Sequence, residues 1–221
     1  MKLFRYVALG DSTGVGVGGQ ADGGYPERLF RRLKLAGIHA GILNLAQSGA
    51  TSSDVLQGQV QKAVSMRPAL VTLAIGANDL WRMVPLGTFE MNLKRIADAL
   101  DASRAEIVVS NLVDLTHAPI AQLVDLALRV PRALFTRRVQ EMNDRLNALS
   151  RRPGFTVVDV FSNTARELPS HPEYFCPDGF HPSRSGYDRW AELMWPAVER
   201  VAERWRQLQM PTQSTDRLKE P

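Results

Sequence analysis

The chain has 221 residues, 44% apolar and 23% charged, which suits one soluble domain with a sizeable core. No apolar run approaches the roughly 18 residues needed to span a bilayer, and the single cysteine, Cys176, excludes an intramolecular disulfide. The formal charge of +4 raises nucleic acid as a partner, but the basic residues follow helical patterns and interleave with Glu and Asp; without stacking aromatics they read as solvated helix faces.

The first nine residues hold no apolar leader with a cleavage site, so a cytoplasmic address is the default expectation. Phe4–Leu9 reads as a buried strand running into Gly10-Asp11-Ser12. Tyr25–Ala36 reads as an amphipathic helix, Ala40–Leu45 as a second strand, Asp54–Met66 as a helix stopped by Pro68, and Leu70–Ile75 as a third strand. A helix over Phe89–Leu100 and a fourth strand over Glu106–Ser110 follow. A long helix is expected over Pro131–Ser150, a fifth strand over Phe155–Val160, and a last helix over Ser183–Gln207, kinked at Pro196. Continuous apolar strands alternating with helices predict a parallel sheet in a three-layer α/β/α domain over residues 1–208. Residues 209–221 read as a polar, disordered tail. The segment Leu112–Arg129 carries an apolar stripe (Ile120, Leu123, Val124, Ala127, Leu128) with two open readings, a helix packed on the sheet or a cap over a site.

Gly10-Asp11-Ser12-Thr13-Gly14 matches G-x-S-x-G, the elbow of α/β-hydrolases. That elbow follows several strands, however, and here only nine residues precede Gly10, so the match misleads. Gly14, Gly16 and Gly19 match the dinucleotide fingerprint, yet no acidic residue ends the second strand, so the glycines read as a loop that lets substrate approach Ser12.

The remaining pieces supply acyl-transfer chemistry. A serine hydroxyl needs a base, and His181 is the best of the four histidines because Asp178 stands three residues before it. A carboxylate at that spacing reaches Nδ1–H and stabilises the imidazolium. Oxyanion charge needs donors already in place. The candidates are the backbone N–H groups of Ser12 and Gly49 and the side-chain amide of Asn78, all near carboxyl ends of strands. Asp11 and Asp79 read as loop braces and helix caps. His171 has no carboxylate at the right spacing, His39 looks incidental, and Cys176 reads as a small buried thiol. His117 is a possible site-lining residue, and Trp81 and Arg82 either rim the pocket or cap a loop. No His/Cys/Asp cluster has metal-ligand spacing, so neither metal nor cofactor is expected.

Together, Gly10-Asp11-Ser12, Gly49 within Asn44-Leu-Ala-Gln-Ser-Gly49, Gly76-Ala-Asn78-Asp79 and Asp178-Gly-Phe-His181 resemble the four blocks of the SGNH (GDSL-type) hydrolase family. The resemblance spans about residues 4–200, with Thr13 where many members carry Leu or Ile. It implies a flavodoxin-like fold with strand order 2-1-3-4-5. It also implies a triad of Ser12, His181 and Asp178, and an oxyanion hole of Ser12, Gly49 and Asn78. The implied activity is hydrolysis of carboxylic esters with small or medium acyl groups, as in lysophospholipase- or arylesterase-like bacterial members. A carbohydrate O-deacetylase, an acyl-thioesterase and a non-catalytic binding module are the alternatives. The expected partner is a small-molecule ester, with oligomeric state left open.

Overall fold

The computed structural model describes residues 2–123 and 131–209. The strands are β1 (Phe4–Gly10), β2 (Ala40–Asn44), β3 (Leu70–Ala74), β4 (Glu106–Ser110) and β5 (Phe155–Val158), and all pair in parallel in the order β2-β1-β3-β4-β5. The helices are α1 (Ser12–Val15), α2 (Tyr25–Leu35), α3 (Ser52–Asp54), α4 (Val60–Ser65), α5 (Ala77–Trp81), α6 (Leu86–Asp101), α7 (Arg132–Asn147), α8 (Val160–Glu167) and α9 (Arg184–Gln209), with a π turn, Val55–Gln59, joining α3 to α4.

The strands alternate between two cores, because neighbouring side chains leave opposite faces of a pleated sheet. Val7, Leu9, Val71, Leu73, Ile107 and Val109 pack with the layer that contains α4, α6 and α7. Phe4, Tyr6, Ala8, Leu70, Ala74 and Val108 meet α2 and α9, where Tyr25 stacks on Trp190 at 5.6 Å. Chain direction across the sheet reverses between β1, whose partner β2 lies to one side, and β3 on the other. Ligands of open α/β sheets bind outside the strands' carboxyl ends at such a switch point. Ser12 and Asn78 stand just beyond the ends of β1 and β3.

Several expected boundaries shift for local reasons. The fifth strand stops at Val158, and Asp159, accepting from the Ser162 N–H at 3.0 Å, caps a helix that the apolar run through Val160 concealed. The helix expected over residues 54–66 begins earlier and carries the π turn. The last helix runs unbroken through Pro196, which lies on its exposed side. Of the 112–129 segment, Leu112, Leu115, Ala118 and Ala121 are core residues, so its first half is sheet packing. The side chain of Leu123, residues 124–130 and most of the expected tail, residues 210–221, lie outside the described residues. Among the described residues no helix is long and apolar enough to cross a membrane.

Candidate active site

Ser12 opens α1 directly after β1 and is 5% exposed. Its hydroxyl lies 3.0 Å from His181 Nε2. Asp11 braces the turn as expected: its Oδ1 accepts the Thr13 N–H at 2.9 Å and the Thr13 hydroxyl at 2.8 Å. Burial pushes the Asp11 carboxyl up to about 6, against the pull of these two bonds. Thr13 is thereby spent on Asp11.

His181 stands on a short turn at the entry to α9. Asp178 Oδ1 accepts the N–H groups of Phe180 at 2.9 Å and His181 at 3.0 Å, and Oδ2 meets His181 Nδ1 at 2.7 Å. Partial burial works to raise this carboxyl. The backbone bonds and the imidazole outweigh it and hold the group below the usual carboxylate range. Ser183 caps the start of α9, accepting the Gly186 N–H at 3.3 Å. The turn is held from behind by the Cys176 N–H on the His181 carbonyl at 2.8 Å and by the Ile120 N–H on Gly179 at 3.1 Å. The Phe180 ring meets the imidazole edge-on at 5.0 Å.

The third element is a pair of loops tied together. Gly49, at φ +79, sits in the left-handed region that a glycine adopts without strain. Asn78 Nδ2 donates to the Ala50 carbonyl at 3.0 Å, which leaves its second N–H for another acceptor. Buried Asp79 accepts the Ser52 N–H at 2.8 Å and the Ser52 hydroxyl at 2.6 Å, and Arg82 donates to the Gly49 carbonyl at 2.9 Å. Burial raises the Asp79 carboxyl although both Ser52 bonds oppose it. The backbone N–H groups of Ser12 and Gly49 donate to no protein acceptor among the described residues. They are orphan donors at a helix start and a loop.

The other residues sort as follows. Trp81 lies 5.9 Å from Phe180 and 6.3 Å from the buried Phe135, so it joins the ring beside His181 to the core. His117 does not stand alone: its Nδ1 meets buried Asp114 at 2.5 Å, a second Asp-x-x-His turn with an exposed ring. His171 pairs with Glu173 at 2.7 Å, a carboxylate two residues away that the spacing argument passed over, and both side chains are exposed. Cys176 is half-buried with its thiol pushed up by burial. The glycines read as an approach path are packed instead: a Cβ would lie 2.5 Å from Ala46 Cβ at Gly14, 2.1 Å from the Gly24 nitrogen at Gly16 and 2.0 Å from the Gly23 carbonyl oxygen at Gly19. Between them, a Cβ on Gly18 would lie 2.3 Å from Cys176 Sγ, so the loop also packs against the turn that carries His181. Sequence reasoning also missed Ser52, whose hydroxyl links Asp79 to Asn92 (3.0 Å) inside the core.

Residues 8–189 match the GDSL-like Lipase/Acylhydrolase family. The chain belongs to that family. It is 22% identical over 193 residues to Esterase TesA of Pseudomonas aeruginosa, which covers 87% of this chain and 87% of the relative. Its fold is similar to a crystal structure of TesA (TM-score 0.71, 21% identity, 89% of this chain and 99% of that one). It is likewise similar to a catalytic mutant of Axe2, an acetylxylan esterase from Geobacillus stearothermophilus (TM-score 0.70, 17% identity, 88% and 93%). The family makes this GDSL-type protein an ester hydrolase, and its three-layer fold with strand order 2-1-3-4-5 is the family's.

Proposed function

We propose that this GDSL-type hydrolase cleaves carboxylic esters through an acyl-enzyme on Ser12. The observation that carries this reading is the unbroken chain Asp178–His181–Ser12, with links of 2.7 and 3.0 Å. His181 Nε2 takes the hydroxyl proton as Ser12 attacks the carbonyl, and Asp178, kept ionised by two backbone N–H groups, holds the ring and stabilises its charge. The oxyanion is held by the free N–H groups of Ser12 and Gly49 and by the second amide proton of Asn78. His181 then protonates the leaving alcohol, and water repeats the cycle to release the acid.

The acyl group is small or medium, and the half-buried rings of Phe180 and Trp81 beside the imidazole support an apolar one. Carbohydrate deacetylation and thioester cleavage would use the same groups. A cytoplasmic address belongs to the proposal on the strength of the single cysteine. The test is a chain-length series of p-nitrophenyl esters on the wild type and Ser12→Ala. We expect kcat/KM to rise from acetyl towards medium chains and to vanish in the variant. Substantial hydrolysis by Ser12→Ala would overturn the nucleophile. A steady decline from acetyl onward would replace the apolar acyl group with a deacetylase's small one.

A further inference from the structure

We propose that Gln59 is a positioning residue for the nucleophile, holding the last residue of β1 in the place that a longer β2 would otherwise fill. The inference rests on Ser12 being that nucleophile. β2 ends where Asn44 pairs with Ala8, two residues short of Gly10. Beyond it, Leu45 still donates to Ala8 at 2.9 Å and Gln47 to Gly10 at 3.1 Å, but the chain then turns away towards Gly49. The Gly10 N–H would be left without a partner in the interior. Gln59 supplies one from the π turn Val55–Gln59, which packs against β1. Its Oε1 accepts the Gly10 N–H at 2.9 Å and its Nε2 donates to the Gly10 carbonyl at 2.9 Å. The amide thus imitates the paired N–H and C=O of a neighbouring strand, and its orientation follows from the two partners, one acceptor and one donor.

The local fold is arranged to deliver this side chain. The π turn Val55–Gln59 inserts one residue into the helical run between α3 and α4. Gln59 and Val60 are both buried as a result, Gln59 at 1% exposure, with Val60 in the apolar core. A buried glutamine in an apolar layer is costly unless both ends of the amide are satisfied, and here both are satisfied by the same residue. That residue cannot shift the other way. Gly10 is at φ +146, and a Cβ on it would lie 2.2 Å from the Ala74 carbonyl of β3. Gly10 is therefore clamped between β3 and the Gln59 amide, two residues before the Ser12 hydroxyl. Displacing a reacting group by about 1 Å costs on the order of 10² in rate, so this clamp acts on kcat.

The experiment compares the wild type with Gln59→Leu, which removes both bonds at similar volume, and Gln59→Glu. A protonated carboxyl can accept from the Gly10 N–H and donate to its carbonyl as the amide does, whereas an ionised one cannot donate. Readouts are kcat and KM per folded molecule, and the rate of phosphonylation by a fluorophosphonate with the modified residue mapped by mass spectrometry. We expect Gln59→Leu to lower kcat and phosphonylation together by roughly 10- to 100-fold with KM within about twofold. The kcat of Gln59→Glu, relative to wild type at the same pH, should rise as pH is lowered from 8 to 5. If Gln59→Leu does not fold, that ratio decides alone. Folded-molecule kcat and phosphonylation within about threefold of wild type, or a flat Gln59→Glu ratio, would overturn the positioning role and leave Gln59 as packing. Failure of the wild type itself to be labelled on Ser12 would instead overturn the nucleophile.

Discussion

Asp11→Asn should stabilise this enzyme at alkaline pH and leave it unchanged in acid. Asp11 is 1% exposed and spends Oδ1 on the Thr13 N–H and hydroxyl, bonds that asparagine's carbonyl oxygen can also accept. Burial pushes the carboxyl up to about 6 from an ordinary 3.8. A raised carboxyl binds its proton more tightly in the folded chain than in the unfolded one. Its contribution is therefore fully present below about pH 4 and is lost as pH rises through about 6. At about 1.4 kcal/mol per pH unit, the difference amounts to roughly 3 kcal/mol of stability missing at pH 8. The negative charge at the N-terminus of α1 works the other way, by at most about 1 kcal/mol, so burial prevails. The expected gain in Asp11→Asn is about 2–3 kcal/mol at pH 8, falling to nothing near pH 4. Urea unfolding of both proteins over this pH range measures it. A variant no more stable than wild type at pH 8, or an equal gain at both ends, would refute the reasoning.

Two further outcomes follow from the geometry. Asn78→Ala should lower kcat by roughly 10²–10³ with a smaller effect on KM, because its second amide proton matters most once charge develops; steady-state kinetics with a chromogenic ester checks this, and a change confined to KM would contradict it. Gly10→Ala should cost roughly 3 kcal/mol or more, read as a fall in Tm, since its Cβ would sit 2.2 Å from the Ala74 carbonyl and neither backbone can move without parting β1 from β3; a Tm within a degree of wild type would contradict the crowding.

The sequence by itself carried the features that act over a few residues. Asp178 and His181 are three apart, and the turn between them needs only its own backbone N–H groups to point the carboxylate at the imidazole. The buried strands were legible because continuous apolar runs between helical patterns suit a sheet covered on both faces. Their order came with the family resemblance, and the register confirms it. Where two local signals competed, the text misled: the apolar run through Val160 hid the cap at Asp159, and the glycines after Ser12 looked like an approach path when they are packing. Tertiary structure alone decided the contacts between distant segments. Ser12 and His181 are 169 residues apart, Gln59 and Gly10 are 49 apart, and Asp79 and Ser52 are 27 apart. A buried Gln59 or Ser52 reads in sequence as a polar interruption of an apolar face, because hydrophobic periodicity records which side of a helix is covered and not which backbone group waits there. Only folding brings the strand that ends early against the helix that supplies its missing partner.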